Sequence, residues 1–276
     1  MRVLRDIATP AGVIATRNSN AIVMPQITLS TLSRIPLIAA GDDLVALIRR
    51  ALTDDGIQLV DGDIVVIAQK IVSKAEGRQV PLARVTPTAR ALELAHATAK
   101  DPRLVQLILD ESSAVMRHKP GVLIVRHRLG HVGANAGIDQ SNVVHDDGEQ
   151  ALLLPRDPDA SAARLHTALS AECGCHVGVI IADSMNRPWR LGTIGGAIGC
   201  AGIQVLDDRR GQHDMFGREL KVTMINRADS IAAMAALIMG ESIERTPVAV
   251  VHGFTVDRTH GVAADIIRPA ADDLFA

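Results

Sequence analysis

Apolar positions along the chain switch between helical spacing and short continuous runs. In "GDDLVALIRRAL", Leu44, Leu47, Ile48 and Leu52 fall on one helical face, with Asp42 or Asp43 placed to cap it. "DGDIVVIAQ" follows as an uninterrupted apolar run after a turn signal, the pattern of a buried strand. "TPTARALELAHATA" predicts a helix entered at Pro87 after Thr86. "DPRLVQLILDESSAVM" predicts another, with Asp101 as cap and Pro102 as first helical residue. "GVLIVRH" reads as a strand leading through a turn at Gly130 into the polar segment "GANAGIDQSNV". A helix with an acidic first turn follows in "DPDASAARLHTALSAE", then a strand "HVGVIIA" that ends on Asp183. "NRADSIAAMAALIMG" is an alanine-rich helix stopped by Gly240, and "PVAVVHG" is a last strand.

These elements do not alternate strictly, so the pattern favours an α+β or mixed α/β fold over a doubly wound parallel sheet. Residues 1–33 are rich in Thr, Ser and Asn and lack helical periodicity. They read as an extended lead-in or arm, with "AGVIAT" as an edge-strand candidate. Residues 34–276 form the main unit, and the proline-containing stretch "LLLPRDPDAS" suggests two subdomains divided near 150–160.

Composition narrows the function classes. With 47% hydrophobic but only 1% aromatic residues, the core is aliphatic and stacking platforms for single-stranded nucleic acid are nearly absent. A net charge of -2 provides no basic field for nucleic acid. The longest apolar run, "IAAMAALIM" at 231–239, is shorter than the roughly 20 residues a spanning helix needs. The N-terminal stretch carries no signal-peptide core. A soluble cytoplasmic protein with small-molecule partners, and neither nucleic acid nor membrane, is the expectation. Cys173, Cys175 and Cys200 read as plain interior thiols, although Cys173 and Cys175 beside His176 also invite a metal reading. His118, His127 and His131 lack a zinc-protease spacing and read as ordinary polar residues.

Neither the phosphate-binding Walker loop nor the dinucleotide glycine fingerprint is present, so any nucleotide must be held differently. Three other stretches could carry chemistry. "AQKIVSKAEGR" follows an apolar strand and places Lys70, Lys74 and Arg78 on one face if helical, which suits phosphate groups; a solvated loop is the competing reading. "IADSMNRPWRLGTIGGAIGCAG" brings the oxygen donors Asp183 and Ser184 together with Arg187 and Arg190. Its glycines 192, 195, 196, 199 and 202 would permit close approach to a ligand, or else pack a turn against another element. "DDRRGQHDMFGREL" reads as a solvated face of mutual ion pairs. Asp139 stands among small polar neighbours without a local cation, a charge that a divalent metal would neutralise.

Taken in order, "IPLI", "GDDL", "VSKAEGR", "NAGIDQSNV", "LLLPRDPDASA", "GVIIADSMNRPWRLG", "AIGCAG", "GRELKVT" and "LIMGE" resemble the coenzyme F420 γ-glutamyl ligase family. The resemblance runs from Arg34 to about residue 272, where "IIRPAADDLF" is similar to a tail of bacterial members. It implies a two-subdomain fold with mixed, largely antiparallel sheets in an intertwined homodimer. It also implies GTP-dependent ligation of L-glutamate to the terminal carboxylate of F420-0, and possible further γ-linked glutamates, through an acyl phosphate. Mn²⁺ or Mg²⁺, with K⁺ as helper, would assist. Carried over residue by residue, the metal set falls on Asp139, Asp183 and Ser184, with Ser184 standing where members usually have Thr. Asp139, Asp183 and Lys74 would be catalytic. The nucleotide contacts fall on Ile35, Pro36, Leu37, Ile38, Gln69, Lys70, Lys74 and Asn142. Arg187 and Arg190 are placed near the phosphates by sequence proximity alone. Departures are Asn186 in place of a glycine and Ser230 where a Glu is usual. They leave open the same ligation on a different carboxylate acceptor, or a catalytically inactive nucleotide-binding homologue.

Overall fold

A computed structural model describes residues 26–145, 148–255 and 261–273. The "AGVIAT" stretch lies outside the described residues. The chain enters through strand β1 (Thr28–Thr31) and helix α1 (Leu44–Asp54). Asp43 proves to be the cap of α1, accepting from the amides of Val45 and Ala46. Strand β2 (Ile64–Ala68) runs directly into α2 (Gln69–Ala75), and β3 (Gln79–Pro81) follows. Helix α3 (Ala89–Thr98) is capped by Thr88, two residues later than the Thr86–Pro87 signal suggested. Asp101 caps α4 (Pro102–Asp110) as expected, but "SSAVM" leaves the helix and enters β4 (Ser112–Lys119). Strands β5 (Val122–His127), β6 (Val132–Ala134) and β7 (Gln150–Leu152) precede α5 (Pro158–Cys173). The chain continues through β8 (Gly178–Asn186), β9 (Thr193–Ala201), β10 (Leu206–Asp208) and β11 (Met224–Asn226). Helix α6 (Arg227–Met239) ends at Gly240, and β12 (Val248–His252) closes the central sheet.

That sheet has the order β1-β12-β2-β8-β9, antiparallel except for the parallel pair β2–β8. The fold is mixed α+β, as the irregular order of elements predicts, with the mostly antiparallel sheets that the family resemblance implies. Alternation along the central strands assigns each residue to a layer. Val65, Ile67, Val179 and Ile181 pack against α1 and α5, whereas Ile64, Val66, Ile180 and Ala182 pack against α6. A third, separate core joins α3, α4, β5 and the segment around Ala136 and Ile138, and the chain passes from it into Asp139.

The glycine-rich stretch 192–202 is chiefly a strand packed under helices rather than a ligand cradle. A methyl group at Gly195 would lie 2.3 Å from the Ala232 carbonyl oxygen on α6, and at Gly199 the same distance from the Pro158 carbonyl oxygen on α5. Absent side chains let both helix backbones sit directly on β9. The cysteines also depart from expectation. Cys173 and Cys175 are disulfide-bonded across the turn at Gly174, at the surface, and Cys200 alone is a buried free thiol. The charge run after β9 does form mutual ion pairs, Arg209–Asp207 at 2.7 Å and Arg210–Asp208 at 2.6 Å.

Candidate active site

The parallel pairing of β2 and β8 ends with Ala68 opposite Ala182: Gln69–Lys70 turn away into α2, while Asp183–Ser184 continue along β8, paired with Gly196 and Gly195 of β9, rather than ending the strand as the sequence suggested. A cleft of about 480 Å³ opens there. Its walls are the Ile35–Ile38 segment, α2, residues 142–144 and the 240–247 loop between α6 and β12. Strand ends in open sheets are the usual place for ligand crevices.

Helix α2 presents Lys70 and Lys74 one turn apart toward this cleft, while Ile71 and Val72 face the core. Lys70 Nζ lies 2.5 Å from Asp139 Oδ2 and donates to Ser141 Oγ at 2.9 Å. Lys74 Nζ donates to the Asn142 carbonyl at 2.7 Å. The two lysines therefore clamp the 139–142 loop against α2. Asp139 has a cation after all, supplied from a remote segment rather than from its own. Burial alone would raise its carboxyl, but Lys70 and the Ser141 amide, at 2.7 Å from Oδ1, together hold it below the ordinary carboxylate range. Burial and the neighbouring Lys70 charge depress the Lys74 ammonium.

Asp183 is the opposite case. Burial, reinforced by the charges of Asp139 and Glu241, pushes its carboxyl up to about 7. Ser184 Oγ donates to Glu241 Oε2 at 2.5 Å, and Glu241 also lines the cleft. Across the mouth, the Asn142 side-chain amide donates to the Ser242 carbonyl at 3.3 Å.

Most of the expected residues thus converge. Ile35, Pro36, Leu37, Ile38, Gln69, Lys70, Lys74, Asn142, Asp183 and Ser184 line one cleft, and Asp139 joins it through Lys70. Others do not. Arg78 follows a left-handed turn at Gly77 and is buried, donating to Glu111 at 2.8 Å and to the Leu154 carbonyl at 2.9 Å. Arg187 and Arg190 are exposed in the β8–β9 connection and are not part of the cleft wall. Sequence reasoning gave no role to Glu241 or to the 240–247 loop. The available signal was the "LIMGE" motif at 237–241, which runs through the Gly240 stop and ends on Glu241. Asn186 and Ser230 are not part of the cleft wall, whereas Ser184 is. Asn186 occupies a regular position in β8 opposite Thr193, and Ser230 Oγ donates to the Asn226 carbonyl.

A sequence model of the F420-0:gamma-glutamyl ligase family matches residues 33–253. The chain belongs to the F420-0:gamma-glutamyl ligase family. It is 43% identical over 251 residues to the coenzyme F420:L-glutamate ligase of Methanothermobacter thermautotrophicus, covering 90% of this chain and 98% of that protein. The coenzyme F420:L-glutamate ligase of Methanocaldococcus jannaschii is 42% identical over 215 residues, 78% of this chain and 85% of that one. That of Halobacterium salinarum is 43% identical over 226 residues, 80% and 84% of the two chains.

The donor set suits a hard divalent cation. Asp139, Asp183, Ser184 and Glu241 offer only oxygens, and the carboxylates of Asp139 and Glu241 both act on Asp183. Among the described residues, no three His, Cys, Asp or Glu side chains converge closely enough to cage an ion. Such a site fits a cation whose remaining ligands come from water and phosphate oxygens.

Proposed function

We propose that this cleft joins L-glutamate to the terminal carboxylate of coenzyme F420-0, driven by GTP. In this reading the acceptor carboxylate attacks the γ-phosphorus, GDP leaves, and an acyl phosphate forms. The glutamate amine then attacks the acyl carbon, an amide bond replaces the acyl–phosphate bond, and phosphate and a proton are released. The observation that carries the reading is the convergence of Lys70 and Lys74 with Asp139, Asp183 and Ser184 at one sheet edge, in a member of the ligase family.

Phosphoryl transfer depends mainly on positioning and on spreading negative charge. Lys74, at the cleft wall, is the cation best placed to meet a terminal phosphate, and Lys70 the second. Ile35–Ile38 supplies an apolar edge and Asn142 an amide to orient the nucleotide. Asp139, Asp183 and Ser184 would hold Mn²⁺ or Mg²⁺, which would supply Lewis-acid neutralisation of phosphate charge. K⁺ as helper and action in the cytoplasm belong to the same reading. So does a homodimer, for which the exposed Leu191, Met215 and Phe216 are suited. Among the described residues, no helix is long and apolar enough to cross a membrane.

Incubation with GTP, Mn²⁺, L-glutamate and F420-0 tests the proposal by GDP release together with a mass gain of one or more glutamyl units. Absence of both overturns it. GDP release with another carboxylate only would reassign the acceptor, and tight GTP binding without turnover would mark an inactive homologue.

A further inference from the structure

We infer that Lys70 is a stand-in cation for this site, and that it makes the protein take its divalent metal as the nucleotide complex rather than as a free ion. The inference rests on the metal–nucleotide reading above and specifies how that site is loaded.

Both oxygens of the Asp139 carboxylate have partners within the protein. Oδ2 faces Lys70 Nζ at 2.5 Å, and Oδ1 accepts from the Ser141 amide at 2.7 Å. The pair is partly solvated, with side chains 25% and 30% exposed, so its attraction is screened somewhat less than that of a fully exposed pair. Ser141 Oγ holds the ammonium from a second side at 2.9 Å. A bare divalent ion approaching Asp139 must therefore displace an ammonium and endure the repulsion of Lys70 and Lys74 together. From the protein it would gain at most the carboxylates of Asp139, Asp183 and Glu241 and the Ser184 hydroxyl, which among the described residues do not converge into a closed cage.

A polyphosphate changes each part of that balance. Its oxygens give Lys70 a new anionic partner when the lysine leaves Asp139, and they fill metal positions that the protein does not. Lys74 stands one turn further along the same helix and is wired to the same loop through Asn142, so it can meet the chain of phosphates as Lys70 turns. Metal and nucleotide then bind with positive coupling, and the coupling is reciprocal by linkage. The lysine acts as a specificity-determining residue for the form in which the metal enters.

Mn²⁺ titrations of the full-length chain, read by the electron paramagnetic resonance signal of unbound Mn²⁺, with and without GDP, test this directly. Wild type, Lys70→Met, Lys70→Gln and Lys70→Arg are compared, each with its melting curve to certify folding. Wild type should bind Mn²⁺ weakly alone and at least about tenfold more tightly with GDP, as expected if the pair keeps the competent state near a tenth of the population. Either neutral variant should bind Mn²⁺ alone about tenfold more tightly than wild type and lose most of the GDP enhancement. Lys70→Arg should retain the enhancement. Equal Mn²⁺ affinity in wild type and both neutral variants would overturn the inference, as would wild-type affinity that is the same without GDP. Failure of GDP to bind wild type would instead count against the proposed function, while the metal-only comparison would still decide the role of Lys70.

Discussion

Lys74 donates its ammonium to the backbone carbonyl of Asn142 at 2.7 Å, joining a helix of the central sheet to the loop that carries Asp139. One side chain thus serves both the architecture of the cleft and its charge. Lys74→Ala should raise the KM for GTP by about tenfold or more, the scale of one charge-assisted contact. Steady-state kinetics with varied GTP measure it, and an unchanged KM would remove Lys74 from the nucleotide contacts.

Asp139→Asn keeps an oxygen for the Ser141 amide but removes the charge facing Lys70. Because the pair is partly solvated, the expected stability loss is about 1 kcal/mol or less. Metal-dependent turnover should vanish while the melting temperature stays within a few degrees. Normal turnover in this variant would show that Asp139 does not hold the metal.

Gly199→Ala should destabilise the fold by roughly 1–3 kcal/mol, because its methyl group meets the Pro158 carbonyl of α5. Gly133→Ala is the control: nothing stands within 4 Å of its added carbon, and its backbone is not left-handed. Urea midpoints should separate the two clearly, and equal midpoints would refute the close packing of α5 on β9.

Acid stability should depend on Glu111. Burial pushes its carboxyl up, but His127, Arg78 and Arg128 outweigh that and bring it down to about 2. The folded value lies below the unfolded one of about 4.3, so the stabilisation is complete above that pH and fades as pH falls toward 2. Its size is about 3 kcal/mol. His131, pushed down to about 4 by burial and then by the charge of His127, adds stability that is complete above about pH 6.5 and lost as pH falls through 4. Glu111→Gln should remove the part of the pH dependence below about 4.3, as measured by denaturant unfolding at stepped pH. A wild-type stability unchanged between pH 5 and 2 would contradict this account.

What could be read from sequence was what is encoded locally. Asp43, Asp101 and Gly240 mark helix ends because caps act over one turn, and β2 announced itself by apolar continuity. Strand β9 carried no such signal, since its glycines make sense only when α5 and α6 are laid on them. Asp139 and Lys70 looked unrelated because their pairing depends on how the third core is set beside the sheet. Arg187 and Arg190 misled in the reverse direction: they are near Asp183 in sequence, yet the hairpin holds them away from the cleft wall. That Asp183, Ser184, the Ile35–Ile38 segment, Gln69, Lys70, Lys74 and Asn142 share one cleft, with Asp139 joined to it, was legible through family resemblance, whereas Glu241 needed the α6–β12 loop in place.

The Ala68–Ala182 pairing works as a ruler for the chemistry. The Lys70 cation follows it by two residues on α2 and the Asp183 carboxyl by one on β8, so where each enters the cleft is fixed by sheet register as well as by side-chain choice. Inserting one residue into β8 ahead of Asp183 would turn that carboxyl to the opposite face of the sheet while leaving composition almost untouched. The exposed β10–β11 connection can therefore take an added residue at little cost, whereas the two central strands must keep their count of residues.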